Sequence, residues 1–209
     1  ENISKDERQI AKTVSFLIVY GGGAFNLAET MSIPLKRAER IIENYQGVYP
    51  GVFSFMEYVN EFIKSNGYAY TIFGRRRNLP DVSSRDRSVV NRALRQGLNF
   101  TIQSTASDIL LCSLLGITKQ FESRGMESKV VSTVHDSLEI IAPYDETKDA
   151  CEIVYEEMVN YPFIKDKFAL NFDVPFAIDT EVGTSFGDGS IVDYNEGKAV
   201  NIPEIISNL

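Results

Sequence analysis

The apolar residues of the chain follow two spacings, and these separate a helical first part from a mixed second part. Through the first part they recur every three or four positions, which is typical of helices that bury one face. Glycine and proline residues at 21–23, 47, 50 and 51 predict the breaks between these helices. The predicted helices span residues 6–19, 24–29, 34–45 and 52–65.

In the second part, short β-rich runs alternate with helical spacing. Two of these runs are separated only by His135-Asp136-Ser137, which predicts two strands with a tight connection. The predicted elements are a hairpin at 68–79, helices at 84–98 and 104–124, strands at 129–134 and 138–142, a helix at 146–159 and a strand at 172–182. This order predicts an α+β fold with a helical layer and an antiparallel sheet.

Composition and charge narrow the class of protein. Apolar residues make up 44% of the chain, which excludes a disordered or fibrous protein, and no run of about 18 apolar residues predicts a membrane span. Cys112 and Cys151 are expected to be small core residues in a reducing compartment. The net charge of −8, taken alone, argues against a nucleic-acid-binding protein. The charge is unevenly distributed, however, because residues 75–95 carry a net charge of +5 and residues 136–209 a net charge of −12. A polyanion responds to the local potential, so the basic strip could bind one.

Two clusters carry candidate chemistry. In the first helix, Arg8, Lys12, Phe16 and Tyr20 lie four residues apart and form one slanted stripe that ends at Gly21. Cations followed by rings match the phosphates and the base of a nucleoside triphosphate, although an ordinary amphipathic helix with both rings in the core would show the same spacing.

The second cluster is the pair His135-Asp136 between two strands. A tight turn places a carboxylate at the sheet edge, where it can reach hydrated Mg²⁺, and two-metal catalysis uses such carboxylates. Aspartate is also common in tight turns without any catalytic role, because its side chain hydrogen-bonds to the nearby backbone.

The stripe R-x3-K-x3-F-x3-YG resembles the motif B helix of family A DNA polymerases, which include bacterial DNA polymerase I and phage replicases. The resemblance implies that Arg8 and Lys12 hold the phosphates of the incoming dNTP and that Phe16 packs on its sugar. It also implies that Tyr20 closes the base-pair pocket and that Gly21 leaves room for the template strand. Lys12 then counts among the catalytic residues as well.

The other motifs resemble the same family. His135-Asp136 is similar to motif C, which implies that Asp136 is the second catalytic aspartate and a Mg²⁺ ligand. It also implies that His135 lies beside the primer terminus, contacts DNA and counts among the catalytic residues. The GRRR segment and the following R-x3-N-x3-Q resemble the stretch between motifs B and C. This resemblance implies that the DNA is contacted by Arg75, Arg76, Arg77, Arg95, Asn99 and Gln103. The alternative for the arginines is that they form only a solvated surface.

The sequence departs from the family pattern at several positions. Ser15 replaces a usual asparagine, Thr101 a usual proline, Ser104 a usual glycine and Phe186 a usual tryptophan. Ser137 stands where the family often has glutamate, so a role for a third carboxylate in the site is in doubt. The same departure is the reason for considering a polymerase of bacteriophage type.

The resemblance implies a piece of the right-hand polymerase fold. Residues 1–74 are expected to be fingers helices with motif B, and residues 75–209 a palm portion with the DNA-contacting hairpin and helix, motif C and a closing strand. The family's motif A, D-x-S-x-x-E with the first catalytic aspartate, does not occur in the sequence. We therefore expect transfer of dNMP to a primer 3′ end, with two Mg²⁺ ions, only together with an N-terminal polymerase half that carries motif A.

The implied partners are that half, primer–template DNA and dNTP, in the cytoplasm of a bacterial cell and with no membrane. One alternative is a non-catalytic DNA-binding module that retains a polymerase fold. Another is an RNA-templated or RNA-making relative, because sugar discrimination in this family lies partly in motif A.

Overall fold

The computed structural model describes residues 4–209, which form two compact units. Unit 1 is Glu1–Thr105 and unit 2 is Ala106–Leu209, so the division falls inside one long helix. It lies beyond the expected boundary at 74/75, and the names fingers and palm for the two parts remain a prediction. The helices are α1 (Lys5–Val19), α2 (Ala24–Met31), α3 (Leu35–Val48), α4 (Pro50–Asn66), α5 (Arg87–Ser123), α6 (Thr147–Tyr155), α7 (Pro162–Phe168) and α8 (Ile202–Ser207), with a 3-10 turn at Pro80–Ser83 and a π-helical turn at Glu156–Asn160.

The strands of the described residues pair only locally, in four separate two-stranded antiparallel sheets. The α+β class with antiparallel strand pairing is confirmed, and the pairing is divided among small sheets in residues 4–209. The strands are β1 (Tyr68–Tyr70), β2 (Arg76–Asn78), β3 (Lys129–Val134), β4 (Ser137–Ile141), β5 (Glu181–Val182), β6 (Ser190–Ile191), β7 (Tyr194–Asn195) and β8 (Lys198–Ala199). They pair as β1–β2, β3–β4, β5–β6 and β7–β8.

Unit 1 holds two apolar clusters. In one, Val14 and Ile18 of α1 pack with Leu27 of α2 and Ala38 of α3. The other lies under the β1–β2 hairpin and contains Val59, Ile63, Ala69, Leu79 and Leu98.

The connection between α3 and α4 is shorter than predicted. Only Tyr49 separates the two helices, and Gly47 and Gly51 lie inside them rather than in a loop. Pro50 occupies the first turn of α4, where its missing N–H and fixed φ are compatible with a helix start. The expected loop at residues 47–51 is therefore wrong because proline here begins a helix.

Helix α5 is continuous over 37 residues, so the two separate helices predicted at 84–98 and 104–124 are one element. Thr101 stands where the family commonly has proline, and its hydroxyl donates to the Gly97 carbonyl at 3.1 Å. Thr105 donates in the same way to the Thr101 carbonyl at 2.6 Å. These hydroxyls turn back onto the helix backbone, and nothing in this stretch removes a backbone donor as proline would.

Part of α5 is long and apolar enough to cross a membrane, by length and composition alone. The same helix carries Asn99, Gln103 and Asp108, and a core helix of a soluble protein can meet the same two criteria. One such helix is weak support for a membrane protein.

Unit 2 packs α6 and one face of the β3–β4 hairpin against the second half of α5. Ile117 and Phe121 of α5 meet Ile153 and Val154 of α6, and Val130 lies at the edge of this cluster. The strand predicted at 172–182 is wrong except for Glu181–Val182, which pair with β6. In the irregular part, the rings of Phe172 and Phe176 pack edge-on around Tyr161 at 5.0 and 5.5 Å. Ring packing replaces strand pairing there.

The helix predicted at 146–159 changes character halfway. It is α-helical to Tyr155 and then widens into the π-helical turn, which carries the buried side chain of Glu157. A Cβ at Gly116 of α5 would overlap this carboxyl group. The Gln120 amide donates to Glu157 Oε1 at 3.4 Å, and Oε2 has no hydrogen-bond partner among the described side chains and backbone. Glycine at position 116 is therefore needed to admit the acid.

This geometry gives a pH prediction for Glu157. Burial raises the pKa of its carboxyl above the ordinary 4.5, because desolvation penalises the ionised form. The folded state holds this proton more tightly than the unfolded chain, so the stabilisation is complete below pH 4.5 and is lost as the pH rises through the raised pKa. We expect Glu157→Gln to gain about 1 kcal/mol of unfolding free energy over wild type between pH 4 and 8, measured by urea titration. If the difference in unfolding free energy between the variant and wild type did not change across this pH range, the raised pKa of Glu157 would be contradicted.

Candidate functional site

The stripe on α1 lies on the face of the helix that points away from the core. Ser4 caps the helix by accepting from the Glu7 backbone N–H at 3.2 Å, and the Glu7 side chain accepts from Ser4 in return. This capping box fixes where the helix begins and thus which residues share a face. Arg8 and Lys12 are exposed, so the cations of the predicted stripe are available to a ligand.

The two rings of the stripe are stacked rather than buried in the core. Phe16 is 46% exposed, and its ring is parallel to that of Tyr20 within 6° at 5.8 Å between centroids. The Lys12 Nζ lies 5.6 Å from the Phe16 ring centroid. An ordinary amphipathic helix with Phe16 in the core is therefore wrong, because Val14 and Ile18 fill that place. The arrangement is a cation followed by a two-ring surface.

The helix ends at Gly21, where it meets a second predicted site residue. Gly21 has φ +78°, and a Cβ there would lie 2.9 Å from Cγ of Arg95. The structure thus brings the end of the stripe together with the arginine of R-x3-N-x3-Q. The space beside Gly21 holds the aliphatic part of Arg95, which the sequence did not predict.

Arg95, Asn99 and Gln103 follow one another on α5 at four-residue spacing, so they share one face of the helix. Arg95 and Gln103 are exposed. Asn99 Oδ1 is buried and has no hydrogen-bond partner among the described atoms. A buried amide oxygen of this kind is satisfied when a donor binds beside it.

The three arginines of the hairpin are held in three different ways. Arg75 donates from Nη2 to the Ser104 carbonyl of α5 at 3.1 Å, which ties the hairpin to that helix. The Arg76 guanidinium carbon lies 4.4 Å from the Tyr68 ring centroid. That of Arg77 lies 6.0 Å from the Phe100 ring centroid. All three residues are exposed, so their charges still face solvent.

His135 and Asp136 form the complete connection between β3 and β4, because Val134 pairs with Ser137. His135 has φ +56°, a left-handed backbone that non-glycine residues rarely adopt. The Ser137 hydroxyl lies 3.0 Å from both the Val134 carbonyl oxygen and Glu139 Oε1, so its one hydrogen is shared between these two acceptors. The turn places both predicted side chains in an exposed position, as expected from the sequence.

Asp136 lines one end of a cavity of about 560 Å³ within unit 2. Its exposed carboxylate is the kind of oxygen donor that Mg²⁺ prefers. Among residues 4–209, however, no three His, Cys, Asp or Glu side chains are grouped closely enough to hold a metal ion. The described residues fit one ligand of a two-ion site and not the whole site.

The comparisons with known proteins decide the family. The family model for DNA polymerase family A matches residues 1–188. The chain belongs to DNA polymerase family A. The match begins before the stripe on α1 and includes the hairpin, α5 and the β3–β4 turn, so every candidate site residue lies inside it.

Individual relatives agree with this family. The chain is 36% identical over 192 residues to DNA polymerase I of Treponema pallidum and 33% identical over 193 residues to the DNA polymerase of Bacillus phage SP01, matching 90% of this chain in each. It spans only 18% and 21% of those two proteins. The POL domain of Pol1 from M. smegmatis, solved in complex with DNA primer-template and dNTP, superposes on 83% of this chain and 29% of that one, with a TM-score of 0.76 and 29% identity. The family predicted from the motifs is confirmed.

One feature of unit 1 was not predicted from the sequence. An apolar groove of about 320 Å³ runs between α4, the hairpin and α5. Phe55, Tyr58 and Phe62 line it from α4 at helical spacing, beside the buried row of Val59 and Ile63. The sequence shows apolar residues on more than one face of α4, but it does not show which element the second face meets.

Proposed function

We propose that this chain is the motif B and motif C part of a DNA-directed DNA polymerase, which transfers dNMP from dNTP to a primer 3′ end. The observation that carries the proposal is the solvent-facing row on α1. Two cations, two stacked rings and a glycine follow one another there in the order of a nucleotide's phosphates, sugar and base. The arrangement fits dNTP because charge and stacking surface occur at opposite ends of one row.

In this proposal, Arg8 and Lys12 bind the phosphates of the incoming dNTP and neutralise their charge. Phe16 packs on its sugar, and Tyr20 closes the pocket around the new base pair. Gly21 and the neighbouring Arg95 border the template strand. Neutralising and positioning the phosphates is the main way in which proteins accelerate phosphoryl transfer, because little covalent chemistry is required of the side chains.

Asp136 is proposed to hold one of two Mg²⁺ ions, and His135 to lie beside the primer terminus. When bound, the ions supply charge stabilisation for the attacking and leaving oxygens. The second aspartate is proposed to come from a motif A segment on an N-terminal polymerase half. This assignment accounts for the lone exposed carboxylate at the β3–β4 turn.

The DNA is proposed to run along the arginine hairpin and α5. Arg76 and Arg77 present exposed charges to phosphates, and Arg75 does so while fastening the hairpin to Ser104. Asn99 and Gln103 face the minor groove, where base-pair acceptors have similar positions in every sequence. In this assignment residues 1–74 belong to the fingers and residues 75–209 to the palm.

The chain is further proposed to work in the cytoplasm of a bacterial cell. The similarity to the phage SP01 polymerase supports a phage-infected cell as a second setting. Its reducing environment agrees with the free, buried Cys112 and Cys151.

The test is primer extension with Mg²⁺ by the chain alone and by the chain mixed with a motif A-bearing half. We expect extension only from the mixture, because the described residues supply one carboxylate of the metal site. Extension with dNTP should exceed extension with rNTP. Template binding by a mixture that never extends a primer would instead favour a non-catalytic DNA-binding module.

A further inference from the structure

Residues 189–209 follow the part of the chain that matches the family, which ends at residue 188. They contain β6, the β7–β8 hairpin and α8, and we call this segment the brace. Its buried apolar side chains form one cluster with α6, made by Cys151, Val192, Ala199, Ile202 and Ile205. Burial of these side chains holds the brace against α6.

Polar contacts fasten the brace both to α6 and to the residue just before β5. The Tyr194 hydroxyl lies 3.2 Å from the Cys151 carbonyl oxygen and 3.0 Å from the Thr180 hydroxyl oxygen. Burial raises the pKa of Tyr194 to about 12, so the hydroxyl keeps its hydrogen at neutral pH. Lys198 donates to Glu152 Oε2 at 2.8 Å, which adds an ion pair to α6. Tyr194 therefore bridges α6 and Thr180.

The segment before β5 depends on these anchors. The backbone of residues 173–179 makes no backbone hydrogen bond among the described residues. The Val192 N–H of the brace donates to the Thr180 carbonyl at 2.9 Å. Among the strands of residues 4–209, β5 pairs only with β6, which belongs to the brace. Without the brace, this segment would be held mainly by the packing of its side chains.

The same segment borders the hairpin that carries Asp136. Ile178 and Leu138 of β4 pack against one apolar cluster of unit 2. Both also line the cavity of about 560 Å³ that Asp136 lines, together with Thr180. Because packed interiors leave little free space, the position of the segment that Tyr194 fixes constrains the position of β4.

We propose that the brace positions the β3–β4 turn, and that Tyr194 is a positioning residue for Asp136 that acts through Thr180. The inference deepens the function proposed above and rests on it, because it concerns the carboxylate assigned there to Mg²⁺. A two-stranded hairpin is only marginally stable by itself, and a metal site tolerates little displacement of its ligands. The family match assigns no role to residues 189–209.

The first experiment is hydrogen–deuterium exchange of the 209-residue chain, comparing Tyr194→Phe with wild type. The variant keeps the ring, which lies 4.7 Å from that of Tyr155, and removes only the bridging hydroxyl. The amides of β4 and of Val192 should exchange about three- to tenfold faster, the range for loss of one hydrogen bond. Amides of residues 113–121 in α5, which belong to the same unit, should not change.

Tyr155→Phe is the matched control. Its ring touches that of Tyr194, and its hydroxyl makes no hydrogen bond within the part of the chain that the structure describes, so its exchange rates should equal those of wild type. Thr180→Val removes the other hydroxyl of the bridge and should act like Tyr194→Phe. The double variant should lose no more than either single variant, since both remove one interaction.

Two outcomes of the exchange experiment would overturn the proposal. Faster exchange at Val192 with unchanged exchange in β4 would mean that the brace does not influence the turn. Equal acceleration in β4 and in residues 113–121 would mean that Tyr194 contributes only to the general stability of unit 2.

The second experiment measures the Mg²⁺ concentration at half-maximal primer extension by the polymerase assembled from both halves. Tyr194→Phe should raise it about three- to tenfold, while KM for dNTP stays within about twofold. A lower kcat with an unchanged Mg²⁺ requirement would contradict the positioning of Asp136. Because exchange needs no activity, failure of the proposed function, seen as extension by Asp136→Ala at the wild-type rate, remains distinguishable from failure of the brace.

Discussion

Asp136→Ala is expected to lower the rate of primer extension by about three orders of magnitude or more in the polymerase assembled from both halves. The proposed metal contact stabilises transition-state charge by several kcal/mol, and each 1.4 kcal/mol corresponds to about a factor of ten in rate. The measurement is single-turnover incorporation of one dNTP at saturating substrate. DNA binding should change little, since the carboxylate is anionic.

Asp145→Ala is the matched control for this prediction. Asp145 is also an exposed acid in a connection after a strand of unit 2, and its loss should leave the rate within about twofold. Residual activity of Asp136→Ala close to wild type would refute the assignment of motif C to this turn.

Lys12→Ala is expected to lower kcat/KM for dNTP about ten- to hundredfold. A hydrogen bond to a charged group contributes about 1.5–3 kcal/mol, and Lys12 faces solvent in front of the stacked rings. Steady-state kinetics with one dNTP at a time measure the effect. The primer–template affinity should stay constant, which separates a nucleotide contact from a DNA contact.

Lys36→Ala serves as its control, because Lys36 is an exposed lysine of α3 outside the proposed site. If both variants lose the same small factor, the effect of Lys12 is only that of net charge. A fall in primer–template affinity without a change in kcat/KM for dNTP would indicate that Lys12 contacts the DNA and not the dNTP.

The parts of the fold that the sequence predicted well are those determined within a few residues. Ser4 and Glu7 specify the start of α1 through their mutual hydrogen bonds, and the four-residue spacing then places the site residues on one face. The tight connection between β3 and β4 was likewise predicted by the β-rich runs on either side, although Ser137, which was expected in that connection, belongs to β4. Local chemistry was sufficient for both.

The wrong predictions concern features that depend on distant partners. The lost strand at 172–182 depends on where Tyr161 packs. The groove beside Tyr58 exists only because the hairpin folds against α4. Neither periodicity nor turn signals reveal which faces meet, so the sequence could not predict these features.

The left-handed backbone of His135 implies a conflict between folding and catalysis. An L-residue held in this region costs about 1 kcal/mol or more, and glycine would remove that cost. The turn therefore keeps an imidazole at a position where stability alone would favour a residue without a side chain. Selection of variants for heat resistance would enrich glycine there, and the resulting protein would be more robust but would lack the group proposed to meet the primer end.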